Sequence, residues 1–165
     1  MTLSAFGSEG APDVTDEALV ADIEVISFEI GGQEFCIDIR SVREIRGWTP
    51  ITPMPQTPDF IMGIIILRGG VIPVVDLRVR LGLGRTEPTA RHVIVVIQWE
   101  DRVAGLLVDA VQESFRATGA SLQAPPEVGG PTEGRFVDAI LAHEGRMISR
   151  LVVSTMLPPR LTDAA

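Results

Sequence analysis

Short runs of β-branched and aliphatic residues come in pairs along this chain, each pair joined by a turn of two or three residues. "EVISFEI" and "QEFCIDI" flank Gly31-Gly32, and "FIMGIIIL" and "VIPVVDL" flank "RGG". "HVIVVIQW" leads through "EDR" into "VAGLLVDAV", and "RFVDAILAH" through "EGR" into "MISRLVV". Two strand-like runs around a tight turn are the local signature of a β-hairpin. In the first run, Val25, Ser27 and Glu29 alternate with Ile26, Phe28 and Ile30, the period of a strand with one buried face.

The segments between these hairpins are short or irregular. "SVREIRGW" reads as a helical turn leading into a strand, and "RVRLGLGRTEPTA" as a turn or short helix followed by a linker. "TPITPMPQTP" has four prolines and must be an irregular or extended connection. Pro73 lies inside a strand run and predicts an edge strand or a bulge there. A new half is expected to begin at "HVIVVIQW", and "STML" is expected to form a helical turn. Many short strands with few helices predict an all-β barrel or a pair of barrels. "CIDIRSV", "VVDLRVR" and "LLVDAV" echo one another, which fits either a duplicated β unit or a coincidence of strand-ending aspartates.

Residues 1–22 are read as a flexible acidic tail, 23–157 as the folded domain, and 158–165 as a C-terminal tail. The Gly/Pro-rich connection "ATGASLQAPPEVGGPTEG" is expected to be exposed. The formal charge of −8 argues against binding nucleic acid or an anionic membrane surface. The apolar run Ile61–Leu67 is far shorter than the ~20 residues that cross a bilayer. A single cysteine, Cys36, excludes an intramolecular disulfide and suits a reducing cytoplasm.

No residue set stands out as catalytic. Asp38, Asp76 and Asp109 each end an apolar run, and a pair such as Asp38 and Asp76 could serve a hydrolase as acid and base. Capping of turns is the simpler reading. His92 and His143 are expected at surface or edge positions, without metal-ligand spacing to each other or to Cys36. The arginines at 68, 78, 80, 85 and 91 form a local basic group suited to salt bridges or a protein contact. The chain is therefore expected to be no enzyme, with no cofactor and no metal, and to work through surfaces.

The ordered motifs from "FCIDIRSVREIRGW" through "GIIILRGGVIPVVDLRVRLGL" to "RVAGLLVDAVQESF" resemble the CheW family of bacterial chemotaxis coupling proteins, over about residues 22–157. The resemblance implies two packed five-stranded SH3-like β-barrels on a shared core, with short helical turns. It implies a non-catalytic adaptor in the cytoplasm, recruited to membrane-associated chemoreceptor arrays. The implied partners are the cytoplasmic hairpin tip of a chemoreceptor and the regulatory domain of the histidine kinase CheA. The kinase-contacting residues stay unassigned.

On the same resemblance the receptor-binding positions are Val42, Glu44, Ile45, Arg46, Leu67, Arg68 and Gly69, with Val42 and Ile45 as apolar floor and Arg68 as a multi-donor fork. Four positions at three places depart from the family pattern: Ile66 replaces an Asn, Cys36 a Gly, and Ser149-Arg150 an apolar-Asp step. These bear on partner specificity and local packing. An alternative of the same architecture is a coupling protein whose pathway controls surface motility, a second messenger or development. A fragment of a larger kinase or receiver-bearing protein is not expected, since neither motif is present.

Overall fold

A computed structural model describes residues 22–124 and 136–158. The expected N-terminal tail, the tip of the Gly/Pro-rich connection and the C-terminal tail lie outside these residues, apart from their boundary positions. The strands are β1 (Ile23–Ile30), β2 (Gln33–Asp38), β3 (Val42–Gly47), β4 (Ile61–Leu67), β5 (Gly70–Asp76), β6 (Val93–Trp99), β7 (Arg102–Val108), β8 (Ala110–Ala117), β9 (Leu122–Gln123), β10 (Val137–His143) and β11 (Arg146–Leu151). Two four-residue helices, α1 (Leu77–Arg80) and α2 (Val153–Met156), and two 3₁₀ turns, Ile39–Ser41 and Gly119–Ser121, complete the described elements. All four predicted hairpins form: β1–β2, β4–β5, β6–β7 and β10–β11.

The strands make two sheets. Barrel 1 has the order β9-β10-β11-β2-β1-β8, and barrel 2 the order β3-β6-β7-β5-β4. Barrel 1 has six strands rather than five because the chain continues from edge strand β8 through a 3₁₀ turn into two-residue β9 at the opposite edge. Barrel 2 closes in the same manner: after β3, Thr52 exchanges backbone hydrogen bonds of 3.0 and 2.8 Å with Ile64 of β4. The proline-rich connection thus provides a one-residue strand.

The two barrels share one topology. Each has a single parallel pairing, β5 with β7 and β11 with β2, and every other pairing is antiparallel. Strands β3 to β7 of barrel 2 correspond to β8, β10, β11, β1 and β2 of barrel 1. The second copy therefore wraps around the chain termini. A boundary at residue 92 does not exist, since β6 pairs with both β3 and β7 of barrel 2. Of the echoed segments, none shares an aspartate position: Asp38 of β2 corresponds to Leu107 of β7, Asp109 to Arg40, and Asp76 of β5 to Val152.

Pro73 is not on an edge strand, because β5 lies between β4 and β7. The parallel pairing with β7 begins only at Val74, so the missing N–H falls just before that ladder.

Three apolar clusters hold the structure. Barrel 1 encloses Val25, Cys36, Leu122, Leu141 and Ile148. Barrel 2 encloses Ile65, Ile72, Val74, Ile94, Val96 and Leu107. The third lies between the barrels, where the opposite faces of β1–β2 and β6–β7 meet through Phe28, Ile30, Ile37, Val95, Ile97 and Leu106. Each such fully buried side chain contributes about 1.5–3 kcal/mol by leaving water. Alternation along the strands supplies one face to each cluster, which is why these strands read as nearly continuous apolar runs.

Arg80 ties the barrels together at their rim. Its guanidinium lies 4.4 Å from the ring centre of Phe60 and 4.9 Å from that of Phe136. It donates a 2.9 Å hydrogen bond to the Thr155 carbonyl, and burial lowers its pKa. The equivalent residue of barrel 1 is Met156, fully buried in the shared core.

Candidate functional site

The β4–β5 hairpin turns through Arg68 at φ 53° and Gly69 at φ 81°, the left-handed pair of a tight two-residue turn. This turn projects Arg68, whose side chain is 74% exposed, toward β3. A bulge in β3 at Arg43 shifts the register: Val42 faces Ile97, and Glu44 faces Val96. Glu44 is thereby turned toward the interior face of barrel 2, with its carboxylate at the barrel mouth.

The Glu44 carboxylate is 17% exposed and holds two arginines. Arg46 Nη1 donates to Oε2 at 3.0 Å, and Arg68 Nη1 forms an ion pair with Oε1 at 2.9 Å. Below them is a groove of about 440 Å³ with Leu67, Val71, Ile72 and Val103 in its walls. Beside it, Ile66 and Val71 face each other across the hairpin, 73% and 58% exposed. The departure at Ile66 therefore adds apolar surface at the rim and packs against nothing inside.

The expected positions separate into two groups. Glu44, Arg46, Leu67, Arg68 and Gly69 come together around one hairpin and one strand. Val42 and Ile45 do not form the floor. Val42 packs against the core between the barrels, and Ile45, 45% exposed, pairs with Val95 on that same face. The bulge at Arg43 sends them away, and strand alternation alone gave no sign of it. The apolar lining comes instead from Val71, Ile72 and Val103, whose role depends on how β5 and β7 are placed.

Barrel 1 carries an equivalent arrangement. Val111-Gln112-Glu113 repeats Val42-Arg43-Glu44, with a bulge at the same place. Glu144 at φ 51° and Gly145 at φ 78° repeat the turn of Arg68-Gly69. Glu113 pairs with Arg146 at 2.5 Å, and Met147, 67% exposed, stands where Val71 does.

The remaining polar residues are engaged locally. Asp38 accepts from Arg40 N at 2.9 Å and pairs with the Arg40 side chain, which holds its pKa below the ordinary value. Asp76 is 3% exposed and caps α1 by accepting from Arg78 N, Thr86 N and Thr86 Oγ1. Asp109 accepts from Gly31 N and Arg78 Nη2. The capping reading therefore describes Asp38 and Asp76, whereas Asp109 holds the distant Gly31 turn and Arg78.

His92 and His143 are more enclosed than expected, with side chains 12% and 21% exposed. His92 lies 3.4 Å from Asp109, and His143 stacks on Phe115 at 3.7 Å. Glu113, His143 and Glu144 bring possible ligand atoms within 4.8 Å, but Arg146 already pairs with Glu113.

Cys36 is fully buried, and burial pushes its pKa up to about 12, the opposite of an activated thiol. It fits because its cross-strand neighbour is the small, buried Ser27. Arg150, the other departure, makes a two-pronged ion pair with Asp138 at 2.8 and 3.1 Å.

Two quasi-equivalent barrels, one with a charged, apolar-lined groove, define the class: an all-β double-barrel domain. The chain belongs to the CheW-like domain family, whose model matches residues 24–158. It is 47% identical over 142 residues to the chemotaxis protein CheW of Rhizobium meliloti, covering 86% of this chain and 92% of that one. It is 31% identical over 134 residues to protein FrzA of Myxococcus xanthus, covering 79% and 83%. The crystal structure of the scaffolding protein TtCheW from Thermoanaerobacter tengcongensis superimposes with a TM-score of 0.73 at 34% identity, covering 79% of this chain and 88% of that one. No helix among the described residues is long and apolar enough to cross a membrane.

Proposed function

We propose that this chain is a non-catalytic adaptor coupling chemoreceptors to the histidine kinase CheA in a bacterial chemotaxis array. It acts in the cytoplasm and is recruited to membrane-associated receptors. The observation that carries the reading is the groove beside Glu44 and Arg68, which is rimmed by the two segments that resemble the family's receptor-binding motifs and walled by Val71, Ile72 and Val103. A receptor hairpin tip is helical. An apolar slot rimmed by a fixed arginine suits one face of such a helix. The Arg68 guanidinium has donors left after pairing with Glu44. Membership of the CheW-like family and likeness to a scaffolding protein support the coupling role.

A titration of the protein against a receptor cytoplasmic fragment and against the CheA regulatory domain tests this. Saturable binding to each is expected; binding to neither sinks the proposal. A second reading keeps the adaptor role but changes the pathway to one with a non-flagellar output. A relative with a name other than CheW, protein FrzA, favours keeping it. Deleting the gene and scoring swimming against surface motility separates the two.

A further inference from the structure

The connection from α1 to β6 brings arginines to the seam between the barrels. A pocket of about 390 Å³ lies there, lined by Arg78, Arg85, Arg91 and His92 with Glu87 and Asp109. It shares no lining residue with the groove at Glu44.

The pocket's acid–base balance is uneven. Asp109 is fully engaged: Oδ2 accepts from Arg78 Nη2 at 2.8 Å and from Gly31 N at 2.9 Å, and Oδ1 faces His92 Nε2 at 3.4 Å. His92 Nδ1 accepts from Thr89 N at 3.0 Å, so in the neutral ring the hydrogen is on Nε2, directed at Asp109. Arg78 Nε is buried and has no hydrogen-bond partner. The side chains of Arg85 and Arg91 make no hydrogen bond or ion pair with any described residue, Glu87 included. With Asp109 committed to Arg78, one carboxylate, Glu87, stands against the two unpaired arginines in the lining, and that excess of positive charge favours an anion.

A pocket beside α2 of the other copy serves as an internal comparison. It has about 250 Å³ and is lined by Asp38, Asp138, Arg150 and Ser154, among others. Ser154 stands where Arg78 does, and its arginine, Arg150, is tied to Asp138 through two hydrogen bonds. The shared fold therefore does not require an arginine excess; it belongs to this one seam.

We infer that the pocket of Arg78, Arg85 and Arg91 is an oxyanion site, taking the phosphate or carboxylate group of a small ligand. Guanidinium groups present paired donors that match both kinds of oxygen edge. Arg85 and Arg91 supply the donors, and Arg78, fixed by Asp109, is the rigid side of the site.

Amide NMR titration of the full chain tests the site, with inorganic phosphate and malonate as separate probes and sodium chloride at equal ionic strength as control. Saturable shifts at Thr89, Arg91 and His92 are expected with at least one probe. Response to phosphate alone identifies a phosphate ligand, response to malonate alone a carboxylate ligand, and response to both a general oxyanion site. The double variant R85Q/R91Q should weaken the apparent affinity about tenfold or more, as loss of charge-assisted bonds implies. Its fold is checked by unchanged shifts in the barrel cores. Non-saturating shifts equal to those with chloride, or unchanged affinity in the folded double variant, overturn the inference.

Discussion

Arg68 Nη1 lies 2.9 Å from Glu44 Oε1, joining a hairpin turn to the strand across the barrel mouth. The pair explains how a permanent charge sits within the most apolar segment of the chain. The turn carries the guanidinium out of the apolar run, and a half-enclosed carboxylate fixes its direction. Because Arg68 is 74% exposed, the pair itself adds little stability, about 0–1 kcal/mol.

Reversing that charge separates recognition from folding. Arg68→Glu is expected to weaken binding of a receptor fragment about tenfold or more, while the melting temperature stays within a few degrees of wild type. The charge swap Glu44→Arg with Arg68→Glu restores an ion pair but should not restore binding. If the swap restores binding, or Arg68→Glu unfolds the protein, Arg68 acts through the fold and the interface assignment fails. Calorimetric titration and circular dichroism read the two effects.

Gly63 holds the proline-rich connection against β4. It has φ 153°, and a Cβ there would lie 2.1 Å from the Thr52 carbonyl oxygen. Gly63→Ala must break the Thr52–Ile64 bridge or bend β4, at a cost of about 2 kcal/mol or more. Urea unfolding measures it. A loss under about 0.5 kcal/mol would show that the bridge does not close barrel 2.

Arg80 stands between two aromatic rings at the joint of the barrels. Arg80→Ala removes both ring contacts and the bond to Thr155, and is expected to destabilise by about 1–3 kcal/mol. Arg80→Met restores apolar contact without a charge to desolvate, so it should recover a good part of that loss. If Met is as damaging as Ala, the charge rather than the packing holds the joint.

Asp38 gives a pH signature. Its pKa is lowered from 3.8 in the folded protein, first by the Arg40 side-chain bond. The unfolded chain therefore binds this proton more readily, and the stabilisation is full above 3.8 and fades as pH falls toward the lower folded value. Asp38→Asn should lower the melting temperature most at neutral pH, and the gap to wild type should close below 3.8. A gap independent of pH in that range would show that the Asp38 charge contributes nothing.

The sequence by itself determined the local structure. Alternation, turn residues and capping aspartates act over two to ten residues, so all four hairpins, both helical turns and the local roles of Asp38 and Asp76 were legible. The motif segments also brought Glu44 and Arg68 into view as positions of one expected surface, and their ion pair came from the structure. What tertiary structure decided was everything that depends on register across distant strands. The bulge at Arg43 turned Val42 against the core between the barrels and left Ile45 on that same face, 45% exposed, and the placement of β5 and β7 put Val71, Ile72 and Val103 in the groove. The repeat of Val42-x-Glu44 in Val111-x-Glu113 is plain in the letters. It could not be read as a duplication, because the second copy is completed by the N-terminal hairpin and has no linear period. A one-residue shift in a strand reverses the face of every side chain beyond it, and that shift is fixed by packing between strands, not by the strand's own sequence.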